Sequence, residues 1–279
     1  MSALPFLALL TMVAFAANSW LARAALAEGL ADPAGYTAVR LVSGAVVLAL
    51  LVMRRSGAGL PSGGNWPSAL MLFVYAAGFS FAYLSLDTGT GALILFACVQ
   101  ATMLGVALWR GDRPGILEWA GLAVAFAAFV WLVSPGVSAP EPTGAVLMVA
   151  AGIAWGVYSL RGAGAADPLA MTAGNFVRAS AFGVALAALF ITSLSMTALG
   201  AILAITSGAI TSGLGYALWY RVLREITTTQ AAILQLSVPA IAALMGVAFL
   251  GEEPTLRLII ACPLILGGVA VAVLAKRRR

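Results

Sequence analysis

Apolar runs of roughly 18 to 25 residues, the length a helix needs to cross a hydrocarbon layer, succeed one another along the whole chain, with charge almost confined to the breaks between them. Backbone in lipid has no water to bond, so each run has to satisfy its own N–H and C=O groups as a helix. Ten runs can be marked off, at about 4–26, 34–53, 68–86, 89–108, 115–133, 143–160, 168–192, 197–220, 228–250 and 255–274. Hydrophobic residues make up 62% of the 279 and charged residues 9%, against about 45–50% and about 25% in soluble domains. The expected fold is an all-α integral membrane protein with ten transmembrane helices. The first run lacks a Lys/Arg-rich start and precedes many like it, so it reads as a retained span.

The breaks alternate in charge. Those after runs two, four, six and eight hold Arg54 and Arg55, Arg110 and Arg113, Arg161, and Arg221 with Arg224, and the tail is Lys276-Arg277-Arg278-Arg279. Those after the odd-numbered runs hold Glu28, Asp32, Asp87, Glu141, Glu252 and Glu253 and no Lys or Arg. Basic residues mark the cytoplasmic side, so both termini are expected there. The net charge of +5 is then a topology signal and not a nucleic-acid patch.

The second half of the chain repeats the first. Thr90-Gly91-Ala92-Leu93-Ile94-Leu95-Phe96 leads through Gly105-Val106-Ala107 to the turn Gly111-Asp112-Arg113-Pro114; a run from Thr227 leads through Gly246-Val247-Ala248 to Gly251-Glu252-Glu253-Pro254. Residues 16–33 align without gaps on 151–168, pairing Trp20 with Trp155, Gly29 with Gly164 and Asp32-Pro33 with Asp167-Pro168. Phe79 and Tyr83 pair with Tyr216 and Tyr220. Equivalent turns carry opposite charge, so the copies, 1–135 and 143–279, are expected to be two inverted five-helix repeats, the arrangement of alternating-access carriers.

With Asp-Pro opening the second run of each half and a Gly-acidic-x-Pro turn before its last run, the chain resembles the drug/metabolite transporter superfamily in its EamA-type branch. The resemblance covers essentially the whole chain, and within the branch it is most similar to YddG-type amino-acid exporters. It implies a secondary transporter in a bacterial cytoplasmic membrane, exporting aromatic and other neutral amino acids or related small metabolites by alternating access. Its partners would be a small-molecule substrate and the lipid bilayer, with no nucleic acid and no cofactor. It also implies that spans one, three, four, six, eight and nine surround a central cavity, with five and ten peripheral. A drug or other metabolite exporter of the same fold, a channel, and a non-catalytic scaffold are the alternatives.

Candidate substrate-binding residues are those whose polarity is out of place in an apolar run. Tyr75, Phe79 and Tyr83 stand at i, i+4 and i+8, one helical face, and Tyr216 lies in the corresponding run of the second half. Trp20 and Trp155 occupy equivalent positions, with Asn18 and Tyr158 nearby. Tryptophan and tyrosine also serve as interfacial anchors and core packing, the plain alternative for all of these. Gln235 precedes Pro239 by four residues, and proline deprives that carbonyl of its helix hydrogen bond. Ser207, Thr211 and Gly215 read as small residues for close helix contact. Arg178 lies about ten residues into run seven, roughly 15 Å deep, and is expected to hold a substrate carboxylate or a gate between the halves. Arg40 and Arg23 are placed nearer the outer surface, where snorkelling satisfies them.

The chain has no histidine, which excludes His-based metal sites and Ser-His-Asp triads. No phosphate-gripping Gly-x-x-x-x-Gly-Lys-Ser/Thr loop occurs, and every carboxylate falls in a break or within about a turn of one. No enzyme activity and no metal site are expected. Cys98 and Cys262 lie inside apolar runs and read as thiols.

Overall fold

The computed structural model describes residues 4–56, 63–111, 115–136, 139–162, 165–226 and 234–277. In order, the helices are α1 (Leu4–Leu26), α2 (Pro33–Ser56), α3 (Trp66–Ala82), α4 (Thr88–Trp109), α5 (Ile116–Val133), α6 (Pro142–Gly162), α7 (Pro168–Leu189), α8 (Ala198–Leu223), α9 (Ser237–Leu250) and α10 (Leu256–Arg277). Seven of them, α1, α2 and α4 to α8, are long and apolar enough to cross a membrane; α3 and α9 are apolar but shorter, as is α10 over Leu256–Ala272. No strand occurs among the described residues beyond one isolated bridge between Ala31 and Met196.

Polarity runs from inside to outside in the reverse of the soluble pattern. Ile116, Phe126, Val146, Leu244 and Phe249 stand on the exterior, while Asn18, Thr37, Arg40, Thr172, Asn175 and Ser207 are buried. Water would penalise so large an apolar exterior, whereas lipid solvates it. The protein is a multi-pass membrane protein.

Local chemistry sets the helix ends. Asn65 accepts from the Ser68 amide at 2.9 Å, Asp167 from Ala170 at 3.1 Å and Thr197 from Gly200 at 3.0 Å, each such N-cap being worth about 1 kcal/mol. Gly251 ends α9 with a left-handed backbone, φ +65°, which has no steric cost for glycine. Within α8, Ser207–Leu214 is wound as a π-helix. This widened turn lies where α8 crosses α2 at Gly208: a Cβ there would fall on the Ser43 hydroxyl and the Arg40 carbonyl.

Helix α2 packs on α7, α3 and α4 on α6, and α1 on α8 and α9, while α5 lies mainly on α10. Ties close both ends of the bundle. At one, Arg23 reaches Glu252 at 3.3 Å and Asp87 at 3.4 Å and donates to the Tyr83 and Leu84 carbonyls; Glu252 also accepts from the Thr88 amide and hydroxyl at 3.0 Å. At the other, Arg55 pairs with Asp167, Arg161 donates to Ser68 at 2.9 Å and Asn65 at 3.2 Å, and the Asn65 amide donates to Asn175 at 2.9 Å.

Two expectations need correction. Run three was expected to continue to 86, but α3 stops at Ala82 and Tyr83 caps it, because the Ser85 and Leu86 amides turn back to the Ala82 carbonyl. Leu236, between helical Leu234–Gln235 and α9, keeps right-handed helical backbone, φ −65° and ψ −18°, and Pro239 has no N–H to offer the Gln235 carbonyl four residues earlier. Arg40 does not snorkel: it is 2% exposed and turned into the protein. Asp112, Arg113 and Pro114 of the first turn, Gly164, residues 227–233 and the final Arg278 and Arg279 lie outside the described residues.

At the Arg23 end, Glu141 accepts from the Gly144 and Thr143 amides, at 2.5 and 2.9 Å, and from the Ser85 hydroxyl at 3.1 Å. These bonds, Gly144 first, lower its pKa from 4.5 to about 2. A depressed carboxylate stabilises the fold above its unfolded pKa and loses that contribution as pH falls through the folded one. The thermal midpoint of wild type should therefore fall between about pH 4.5 and about pH 2 more steeply than that of Glu141→Gln. Parallel curves would show that the cap contributes nothing.

Candidate functional site

At the centre of the bundle Phe15, Asn18 and Ser19 from α1, Tyr75 and Phe79 from α3, Leu95 and Phe96 from α4, Trp155 from α6, and Thr211 and Tyr216 from α8 surround a chamber. Its free volume is about 20 Å³, close to the space of one water. The walls thus meet, and the bundle is closed at its middle. A second, larger cavity of about 250 Å³ lies at the Arg23 end, lined by Ser85, Asp87, Thr90, Glu141 and Thr255 among others.

Aromatic rings form a continuous wall. Trp155 meets Tyr75 at 4.8 Å between centroids, Tyr216 at 5.1 Å and Tyr158 at 5.4 Å; Tyr75 meets Phe79 at 5.5 Å, and Phe79 meets Tyr83 edge-on at 4.7 Å. The four-residue spacing in α3 puts Tyr75, Phe79 and Tyr83 on one face, and α6 supplies the opposing ring. Such contacts add about 0.5–1.5 kcal/mol each beyond area burial.

Polar groups are knitted behind the rings. The Asn18 carboxamide oxygen accepts from Ser207 at 2.5 Å and Thr211 at 3.1 Å, and its nitrogen donates to the Tyr75 hydroxyl at 3.3 Å. Ser207 and Thr211 lie in the π-helical segment, so hydroxyls read from the sequence as packing residues also orient Asn18. The same Tyr75 hydroxyl accepts from Arg40 Nη2 at 2.9 Å. Arg40 lies over the Phe79 ring at 4.7 Å and the Tyr75 ring at 5.1 Å, and its Nη1 is buried with no hydrogen-bond partner among the described residues. Burying an ion costs several kcal/mol even after relaxation. Two desolvated cation–π contacts, about 2 kcal/mol each, and one hydrogen bond to a charged group, about 1.5–3 kcal/mol, offset much of that.

The structure brings Asn18, Tyr75, Phe79, Trp155 and Tyr216 together around the chamber. Tyr83 lies one layer toward the Arg23 end, its hydroxyl donating to the Thr88 carbonyl at 3.3 Å. Tyr158 lies behind Trp155, beside Thr172 and Asn175. Trp20 packs on Phe249 at 5.7 Å, away from Trp155's position, so the two repeat-related tryptophans have separate surroundings. Gln235 is half-buried in the helical turn just before α9. Arg178 does not line the chamber; it donates to the Gly63 carbonyl at 2.8 Å and the Gly174 carbonyl at 2.9 Å, a bond between the two halves. Sequence reasoning passed over Phe15, Ser19, Leu95 and Phe96, whose types are ordinary in an apolar run, and over Arg40, whose depth it misjudged.

A lipid-solvated helical bundle that surrounds a polar and aromatic chamber with helices from both halves of its chain defines a transporter-like membrane protein. Residues 142–274 match the EamA-like transporter family. An uncharacterised protein of Pseudomonas aeruginosa is 48% identical over 97% of this chain and 94% of its own, and an uncharacterised transporter of Archaeoglobus fulgidus is 27% identical over 88% of each. The threonine/homoserine exporter RhtA of Salmonella typhimurium is 32% identical over 62% of this chain and 60% of its own. A crystal structure of a protein 23% identical covers 99% of both chains with a TM-score of 0.71, so the fold recurs. The chain belongs to the EamA-like transporter family, a family of transporters and not of enzymes.

Proposed function

We propose that the protein exports neutral amino acids, aromatic ones included, or related small metabolites across a bacterial cytoplasmic membrane by alternating access. In this reading it has ten spans in two inverted five-helix repeats, 1–135 and 143–279, with both termini and the Arg55 end in the cytoplasm. The carrying observation is the chamber's composition: α1, α3 and α4 contribute from the first half and α6 and α8 from the second, the midplane placement of a carrier site between repeats. The packing supports it too. Exchanging α1 with α6, α2 with α7, α3 with α8, α4 with α9 and α5 with α10 turns the principal contacts into one another: α3 on α6 becomes α8 on α1, and α4 on α6 becomes α9 on α1. The partial likeness to RhtA supports a small amino acid as cargo.

Flux and counterflow of labelled L-threonine, L-homoserine and L-phenylalanine in proteoliposomes test the proposal. Counterflow above passive leak is the expected result; flux without counterflow would indicate a channel, and no flux would reject export. Phe79→Ala opens the chamber wall, so it is expected to change the order of preference among the three by about tenfold while protein yield stays within about twofold. Unchanged order with lowered yield would reduce Phe79 to packing.

A further inference from the structure

We infer that Arg40 is the group that recognises a carboxylate on the transported solute, and that the rings of Tyr75 and Phe79 hold its charge while the chamber is closed. The inference rests on the export reading and narrows it to solutes bearing an acid. Arg23 and Arg55 pair with carboxylates, and Arg161, Arg178 and Arg257 donate to oxygens near the helix ends. Arg40 is different from these five. It is buried in mid-bundle, its titratable neighbours are Tyr75, Tyr216 and Tyr36, and no carboxylate pairs with it among the described residues. The Tyr36 hydroxyl, beside Ser207, is buried next to it.

The rings of Tyr75 and Phe79 stand between the chamber and Arg40: both line the chamber and both lie against the guanidinium. A carboxylate offers two oxygens in the spacing of a guanidinium edge. It would take the idle Nη1 and draw Nη2 from the Tyr75 hydroxyl, and the released phenol would remain bonded to Asn18. A neutral amide or ester lacks the charge to replace that contact. Trp155 and Tyr216 also line the chamber, and aromatic rings suit an ammonium group, so a zwitterion would find groups for both of its charges among the chamber's walls. Recognition and opening are thereby the same event, since Arg40 cannot reach the solute until the rings move.

Purified full-length protein in nanodiscs should be titrated with L-threonine and with L-threonine amide, following tryptophan fluorescence and thermal midpoint. Wild type is expected to bind the acid about 10- to 100-fold more tightly than the amide. Arg40→Gln should lose that preference, and Arg40→Lys should regain part of it. If wild type fails to distinguish acid from amide, or if Arg40→Gln distinguishes them as wild type does, the role of Arg40 is overturned; the wild-type comparison decides even where a variant does not fold. Counterflow of threonine in proteoliposomes is scored separately: flux without acid–amide discrimination overturns Arg40 and leaves export standing, whereas no flux of any tested solute overturns export itself.

Discussion

Gly208→Val is expected to leave little folded and no transporting protein. Gly208 faces α2 where the backbones touch, and any Cβ would fall on the Ser43 hydroxyl and the Arg40 carbonyl. Backbone cannot rotate away as a side chain can. The π-helical segment would have to lift from α2, carrying Ser207 and Thr211 off Asn18, and Asn18 off Tyr75 in turn. Overpacking of this kind costs about 1–3 kcal/mol or more, to which a buried carboxamide left without partners adds about 1–3 kcal/mol. Gly105→Ala is the control, because a Cβ at Gly105 meets nothing within 4 Å. Thermal denaturation with flux in proteoliposomes checks both variants, and a wild-type midpoint and wild-type flux in Gly208→Val would show that the crossing is slack.

Glu252→Gln should release the Arg23 end. One carboxylate there accepts from Thr88 twice over, through amide and hydroxyl, and pairs with Arg23, so it links α1, α4 and the turn between α9 and α10. The amide keeps the shape and loses the charge. If those bonds exist only with that end closed, removing about 1.4 kcal/mol of differential stability raises the population open there about tenfold. Ser19→Cys, in a background with Cys98 and Cys262 replaced, reports on the chamber wall. Its labelling by an impermeant maleimide added on the side of the Arg23 end is expected to quicken about tenfold in Glu252→Gln. Arg23→Gln should do the same, and the double variant should add little, because both remove one interaction. Unaltered labelling would mean that the ties at this end do not set the closed state.

The aromatic face of α3 could be read from the sequence because spacing i, i+4, i+8 fixes a face whatever the neighbours do. Asn18 and Trp155 were legible as polar or bulky exceptions in apolar runs. Arg40 was misplaced for a physical reason: counting residues from Pro33 gives height along a helix but not the direction a side chain points. Snorkelling assumes a lipid-facing side, and α2 is covered there by α7 and α8. The contrast between Trp20 and Trp155 arises from what packs beside each, which alignment of the halves does not contain. Nothing in Ser207 to Leu214 announces a widened turn; it arises where Gly208 must pass α2.

Glu252 also bears on when the protein becomes itself during synthesis. Asp87 stands at the N-cap of α4 but makes no capping bond with its side chain, and the Thr88 amide finds its acceptor 164 residues further on. The start of α4 therefore emerges from the ribosome unfinished and stays so until nearly all the remaining chain has entered the membrane. A first half severed from the second would lack the acceptor for the start of α4, so the two halves of the chain depend on each other to finish folding.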